Sequence, residues 1–156
     1  GESVWEAGEE VDERTDDVTF ILRKDHSLCL MGVERTMKLL ESIALGIDRV
    51  DCVMPSRNGR NGMLVTAHGT INIKNKKWEA DFSAIDEMAI TWVDTEYSKA
   101  YLRHLFTVNE MLGRQIATIH NLGFYLWLVR EARKHILAGD YTPWKNRMVK
   151  QMDKRL

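Results

Sequence analysis

The chain has 156 residues, 44% of them hydrophobic and 29% charged. This is the balance of one soluble globular domain and too apolar for a disordered chain. The longest apolar run, Phe124 to Val129, is far too short to cross a bilayer, and the acidic N-terminus lacks the basic-then-apolar pattern of a secretion signal. A cytoplasmic protein with no membrane segment is expected. The two cysteines, Cys29 and Cys52, cannot form a disulfide framework and sit in apolar runs, so reduced, buried thiols are expected.

The net charge of −1 conceals an asymmetry. Residues 1–17 hold eight acids and one base, Arg14, for a net −7, and the remainder holds 21 bases and 15 acids, for +6. The basic body keeps nucleic acid open as a partner. Prolines number only two, Pro55 and Pro143, where ordinary usage of about 5% would give about eight.

Residues 1–17 read as a solvated helix or a frayed start. Leu28-Cys29-Leu30-Met31 reads as a short buried strand ending at Gly32. Met37, Leu39, Leu40, Ile43 and Ala44 follow helical spacing, with Gly46 as the cap. Val50 to Met54 reads as a second buried strand, so residues 28–54 form a βαβ unit with parallel strands. Pro55 to Gly62 contains two Asn-Gly pairs, which predict a tight, exposed loop with positive φ. Met63 to Thr66 and Thr70 to Ile73 alternate around His68-Gly69 and predict a hairpin. Residues 79–95 look irregular. Helices are predicted over Tyr97 to Ile119, Leu122 to Leu137 with Gly139 beyond its end, and Trp144 to Leu156, the last amphipathic and basic.

Four constellations could carry chemistry. Asp51 follows a buried strand and directly precedes the glycine-rich basic segment; the carboxyl end of a parallel strand is where α/β barrels place catalytic groups, although a strand-end aspartate also caps turns. Ser56-Arg57-Asn58-Gly59-Arg60-Asn61-Gly62 offers two arginines three apart, suited to phosphate or base edges or simply to a solvated turn. It is not a P-loop, because the Gly-Lys-Thr ending is missing. Tyr97, Tyr101 and His104 share one face of the predicted helix, while Leu102, Leu105, Phe106 and Leu112 share the other. The aromatic face is either core or a partner surface. His120 has no cysteine near it in sequence, and a hydrogen-bonded histidine is favoured there over a metal ligand.

Together these segments resemble the C-terminal part of a bacterial-type tRNA-guanine transglycosylase, a family also called queuine tRNA-ribosyltransferase. The residues that carry the resemblance are Asp51-Cys52-Val53-Met54-Pro55, Arg57 to Gly62, Ile71-Asn72-Ile73, Tyr97 to Leu105 and Ile119-His120-Asn121-Leu122. The match is dense from about Ile47 onward and weaker before Gly46. It implies an α/β fold: the last strands and helices of a (β/α)8 barrel with an inserted hairpin and helical subdomain. The implied boundaries are 1–66 for the barrel strands with the catalytic loop, 67–119 for the insertion and 120–156 for the closing helices.

The resemblance also implies a reaction. The family exchanges the wobble guanine of certain tRNAs for a 7-deazaguanine through a covalent bond between an aspartate and the ribose. Asp51 matches the nucleophile. Gly1 and Met31 match the base pocket. Gly32, Val33, Lys38, Ser56, Arg57, Asn58, Gly59 and Arg60 match RNA-contacting segments, and Tyr97, Tyr101 and His104 match the interface of a homodimer. The family's zinc site has three cysteines and a histidine; this chain has Ala89, Thr91 and Asp94 at the cysteine positions and keeps only His120. One carboxylate and one imidazole cannot close a tetrahedral site, so no metal and no other cofactor is expected. Packing around Trp92 and an Asp94–His120 hydrogen bond are expected in its place.

Other departures are Trp5, Arg23, Ser27, Glu34, Thr36 and Ala84, where the family prefers glycine or proline, and Glu34 would repel phosphate. A (β/α)8 barrel needs about 200 residues or more, so the resemblance implies a missing N-terminal half that carries the general acid–base group. The leading expectation is the nucleophile-bearing portion of the transglycosylase, inactive by itself. The alternatives are a non-catalytic RNA-binding or scaffolding subunit and a purely structural derivative.

Overall fold

The structure is a computed structural model that describes residues 27–32 and 36–156. The chain divides into two compact units, Gly1–Val53 and Met54–Leu156. The fold is mixed α/β, with helices dominant and two small sheets.

In the first unit, β1 (Cys29–Met31) pairs in parallel with β2 (Arg49–Asp51), and α1 (Thr36–Ala44) lies between them in sequence. The register sets Cys29 opposite Arg49, Leu30 opposite Val50 and Met31 opposite Asp51. The expected strand–helix–strand unit is therefore present. The helix buries Leu39, Leu40 and Ser42 and is followed by Gly46 at φ +91°, the left-handed position a glycine tolerates. The strands, however, are not buried: Cys29, Met31, Arg49 and Asp51 are exposed, and only Leu30 and Val50 are partly covered. Parallel strands become buried when helices cover both faces and further strands pair with their edges. Among the described residues this pair has no third strand. The thiols differ in the same way: neither forms a disulfide, but Cys29 is exposed and Cys52 half-buried.

The second unit opens with α2 (Met54–Arg60), a short helix where two Asn-Gly pairs predicted a loop. Gly59 serves packing there rather than positive φ. A Cβ at that position would lie 2.9 Å from the Thr118 nitrogen and 3.0 Å from the Ala117 carbonyl. Only the second pair makes the expected turn, with Gly62 at φ +82°. Beyond it β3 (Met63–Thr66) and β4 (Gly69–Asn72) form the expected antiparallel hairpin, Thr66 opposite Gly69. Residues 154–156 line the free edge of β4: the Thr70 N–H donates to the Lys154 carbonyl at 2.8 Å, and the Leu156 N–H to the Thr70 carbonyl at 3.0 Å.

Four helices follow: α3 (Trp92–Glu96), α4 (Lys99–Thr107), α5 (Met111–Ala138) and α6 (Tyr141–Met152). The sequence predicted one helix to Ile119 and another from Leu122. The break instead falls at 108–110, where Asn109 takes φ +60°, and α5 runs unbroken through His120 and Asn121. Asparagine visits the left-handed region more readily than most residues, and here its side-chain oxygen also accepts from Arg114 at 2.6 Å. Gly139 ends α5 at φ +79°, as expected. The core joins hairpin residues Leu64, Ile71 and Ile73 to Val93, Leu102 and Ile116 from the helices. On α6, Trp144 is buried and stacks on His135 of α5 at 4.8 Å.

Two adjacent polar residues of α5 hold this unit together. Asn121 donates from Nδ2 to the carbonyls of Pro55 (3.0 Å) and Met63 (2.9 Å), and its Oδ1 accepts from the Val65 N–H at 3.0 Å. His120 Nε2 lies 3.0 Å from the Val65 carbonyl, and Nδ1 lies 2.6 Å from Asp94 Oδ1. The other oxygen of Asp94 accepts from the N–H and the hydroxyl of Thr91, at 2.7 and 2.8 Å. His120, Asn121 and Asp94 are all at most 1% exposed, where an unpaired polar group would be costly. Both ring nitrogens of His120 thus have a buried oxygen partner, one on Asp94 and one on the Val65 backbone. Burial alone would raise the Asp94 pKa. The hydrogen bond and charge of His120, with the two bonds from Thr91, outweigh it and hold the carboxyl below its ordinary range.

Removing Asp94 leaves the buried His120 ring and the Thr91 donors without their partner, so Asp94→Ala is expected to cost about 3 kcal/mol in urea unfolding at neutral pH. The sign with pH follows from the depressed folded pKa. The contribution is complete above the unfolded value, about 3.9, and is lost as pH falls through the lower folded value. The gap between the parent chain and Asp94→Ala should therefore narrow below about pH 4. A gap constant down to pH 2 would count against a stabilising Asp94 carboxylate.

Candidate functional site

The residues expected to act fall on both units, and each group is described within its own. In the first, Asp51 is the last residue of β2 and is exposed. The parallel register sets it beside Met31, itself 74% exposed, and the Gly32 N–H donates to the Asp51 carbonyl at 3.1 Å. Gly32 takes φ +78° just after β1. A carboxylate, a flexible thioether and a left-handed glycine thus share the carboxyl end of one parallel pair. Lys38 lies on α1, half-buried. Gly1 and Val33, expected in the base pocket and the RNA-contacting segment, lie outside the described residues, as does Glu34.

In the second unit, Arg57 and Arg60 are exposed, three apart on α2, and so lie on neighbouring positions of one helical face. Ser56 and Asn58 are half-buried and Gly59 is buried against α5. The arginines therefore stand on a helix fixed by its glycine, not on a mobile loop. The turn after β4 adds Lys74, Lys76 and Lys77, all exposed, which sequence reading passed over. Their signal is the run Lys74-Asn75-Lys76-Lys77 directly after the hairpin.

Tyr97 and Tyr101 meet, but Tyr97, Tyr101 and His104 do not share one helix. Tyr97 precedes α4, whose N-cap is Ser98. Its ring stacks on Tyr101 at 5.7 Å and 18°, and Trp92 lies 6.0 Å from it. Tyr101, His104 and Trp92 are exposed, and Tyr97 packs against the edge of the core. Leu102 and Leu105 fill the core as expected, with Phe106 beside them, whereas Leu112 lies on α5 and is exposed. Phe82 joins Tyr97 and Tyr101 along an open groove.

The positions matching a zinc site do not fit a metal. Ala89 has no donor atom, the Thr91 hydroxyl is spent on Asp94, and Asp94 and His120 are engaged with each other, with Thr91 and with Val65. The expected Asp94–His120 bond is present, but Trp92 is exposed rather than packed at its centre. The Thr91 methyl instead sits so close to Gly123 that a Cβ there would lie 2.0 Å from it. Asn121 is the residue whose importance sequence reading missed, since a helical asparagine shows its role only through distant backbone partners. Among the described residues no helix is long and apolar enough to cross a membrane.

Comparison with known proteins agrees with the resemblance. Residues 1–154 match the family described as queuine tRNA-ribosyltransferase. A queuine tRNA-ribosyltransferase of Clostridium acetobutylicum is 41% identical over 150 residues, which are 96% of this chain and 40% of that protein. One from Helicobacter pylori strain Shi470 is 40% identical over 155 residues, 99% of this chain and 42% of that protein. One from Helicobacter acinonychis is 40% identical over 151 residues, 97% of this chain and 41% of that protein. The chain spans about two fifths of the length of these curated relatives. By its sequence the chain belongs to the queuine tRNA-ribosyltransferase family.

Proposed function

We propose that this chain is the nucleophile-bearing, RNA-contacting portion of a tRNA-guanine transglycosylase, built as the last strands of a (β/α)8 barrel with an inserted hairpin and helical subdomain. The observation that carries the reading is Asp51: an exposed carboxylate at the carboxyl end of a parallel strand, beside Met31, in a chain of this family. An Asp51 oxygen bonds to the anomeric carbon of the ribose at the wobble guanosine as the bond from that carbon to guanine breaks. The departing base takes the electron pair and is protonated by an acid from the rest of the family chain. A nitrogen of the incoming 7-deazaguanine then bonds to the same carbon, its N–H proton passes to the group that protonated guanine, and Asp51 leaves as a carboxylate.

Met31 and Gly1 line the base pocket in this reading. Gly32, Val33, Lys38 and the Ser56 to Arg60 helix contact the tRNA. Arg57 and Arg60 supply positive charge from a rigid element, which suits phosphate contacts that orient the substrate. The exposed Tyr101 and His104, with Tyr97 stacked on Tyr101, support self-association through that face. The reaction requires the portion of the family chain that this one does not span, and the setting is cytoplasmic.

With that portion supplied from a relative, exchange of labelled guanine into tRNA is expected, with a covalent protein–tRNA species on a denaturing gel that Asp51→Asn abolishes. A surviving adduct would require another nucleophile. Binding without exchange would favour a non-catalytic RNA-binding subunit.

Arg57→Ala/Arg60→Ala is expected to weaken binding of a tRNA anticodon stem-loop and to flatten its log–log salt dependence by about two units, roughly 0.9 for each phosphate that is no longer neutralised. An unchanged slope would remove these arginines from the interface.

Sedimentation tests the aromatic face. Tyr97→Ala/Tyr101→Ala is expected to yield a folded monomer from a parent dimer. A variant that stays dimeric would place the interface elsewhere.

A further inference from the structure

The helix that carries Arg57 and Arg60 cannot hold itself. α2 has seven residues, among them Asn58 and Gly59, which are poor helix formers. Isolated helices shorter than about 12 residues are marginal in water. Three points on α5 hold it instead. Asn121 Nδ2 donates to the Pro55 carbonyl, in the first turn of α2, at 3.0 Å. It also donates to the Met63 carbonyl, three residues past the end of α2, at 2.9 Å. Between these two points Gly59 lies against the backbone of Ala117 and Thr118. Asn121 Oδ1 accepts from the Val65 N–H at 3.0 Å, so the same side chain anchors β3. Two donors and an acceptor thus meet two carbonyls and an N–H, with the residue fully buried. An aspartate would have no donor for the carbonyls, and a leucine of similar shape has no polar atom.

We propose that Asn121 is a positioning residue for RNA contact: it fixes both ends of α2 and so sets where Arg57 and Arg60 meet the phosphate backbone. The proposal rests on the reading that these arginines contact tRNA, and it adds the residue that aims them. Phosphate contacts set the register and orientation of a bound nucleic acid, so the element that bears the charges must itself be fixed. The seat at Gly59 sets how closely α2 approaches α5 but leaves sliding and rotation open. The two bonds that flank it close those motions, since either would break a buried hydrogen bond. Strand β3 has a second tie to α5, from the Val65 carbonyl to His120. Loss of the Asn121 side-chain bonds therefore falls mainly on α2.

The test uses the whole chain and a tRNA anticodon stem-loop, titrated over a range of salt. Asn121→Leu keeps volume and charge and removes all three hydrogen bonds. It is expected to weaken binding about tenfold near about 0.1 M salt and to flatten the log–log slope by about one unit, the effect of one lost phosphate contact, although every cation remains. A residue that only supports folding behaves differently. Lowering the folded fraction reduces affinity equally at every salt and leaves the slope unchanged. Leu128→Ala, a buried change farther along α5, is that control and should keep the parent slope. In an Arg57→Ala/Arg60→Ala background, Asn121→Leu should change the slope no further. Hydrogen exchange supplies a readout without RNA. In Asn121→Leu the amides of Arg57 to Gly62 should exchange about tenfold faster or more, and those of α6 should not. Unchanged exchange in α2 overturns the proposal whether or not RNA binds. So does a parent-like slope in Asn121→Leu when the arginine variant has lost its own. Faster exchange confined to α2, with Arg57→Ala/Arg60→Ala binding RNA as the parent does, would sink the RNA reading of the arginines and leave Asn121 as the residue that seats the helix.

Discussion

The second unit depends on a pair of adjacent polar side chains inside a helix. His120 and Asn121 reach from α5 to the backbone of β3, to the start of α2 and, through Asp94, to the start of α3. Strand β3 is thereby tied through both the N–H and the carbonyl of Val65, so its register against α5 cannot slip without breaking buried hydrogen bonds. Apolar packing around Leu64, Ile73 and Ile116 supplies the bulk of the driving force but is indifferent to small shifts. The polar clamp supplies the geometry. It also occupies the positions where the family resemblance implies a zinc site.

How much of this was legible in the sequence differs by element, for physical reasons. The hairpin was readable because alternation around His68-Gly69 encodes both the strands and the turn. The parallel unit was readable because α1 has a clear apolar stripe and a glycine cap. The burial of its strands was overestimated, since an apolar run signals a covered strand only when something is present to cover it. Two Asn-Gly pairs look alike in sequence yet do different work: Gly62 supplies a left-handed turn, while Gly59 lets two helix backbones touch. The break at Asn109 has neither glycine nor proline to announce it.

The site was legible mainly through family resemblance. Local pattern marked Asp51 as a strand-end carboxylate but could not separate a nucleophile from a turn cap. The register adds that Met31 stands directly across from it, a relation fixed by strand pairing and invisible in linear sequence. The aromatic residues were read as one helical stripe because Tyr97, Tyr101 and His104 have the right spacing. Ser98 caps α4 after Tyr97, and the rings meet by stacking across that boundary instead. Asn121 gave no local sign at all, because its three partners lie 56 to 66 residues away.

The close seat of Gly59 on α5 has a thermodynamic consequence for any polyanion that α2 meets. A basic loop must surrender backbone freedom when it grips a ligand, a loss of about 1 to 2 kcal/mol for each residue ordered. Here Arg57 and Arg60 ride on a helix already locked by its backbone against Ala117 and Thr118. The immobilisation was completed when the protein folded, so association through this helix draws only on side-chain rotamers and released counterions. Its entropy is dominated by ions entering solution, and its heat-capacity change is that of surfaces meeting rather than of a segment folding.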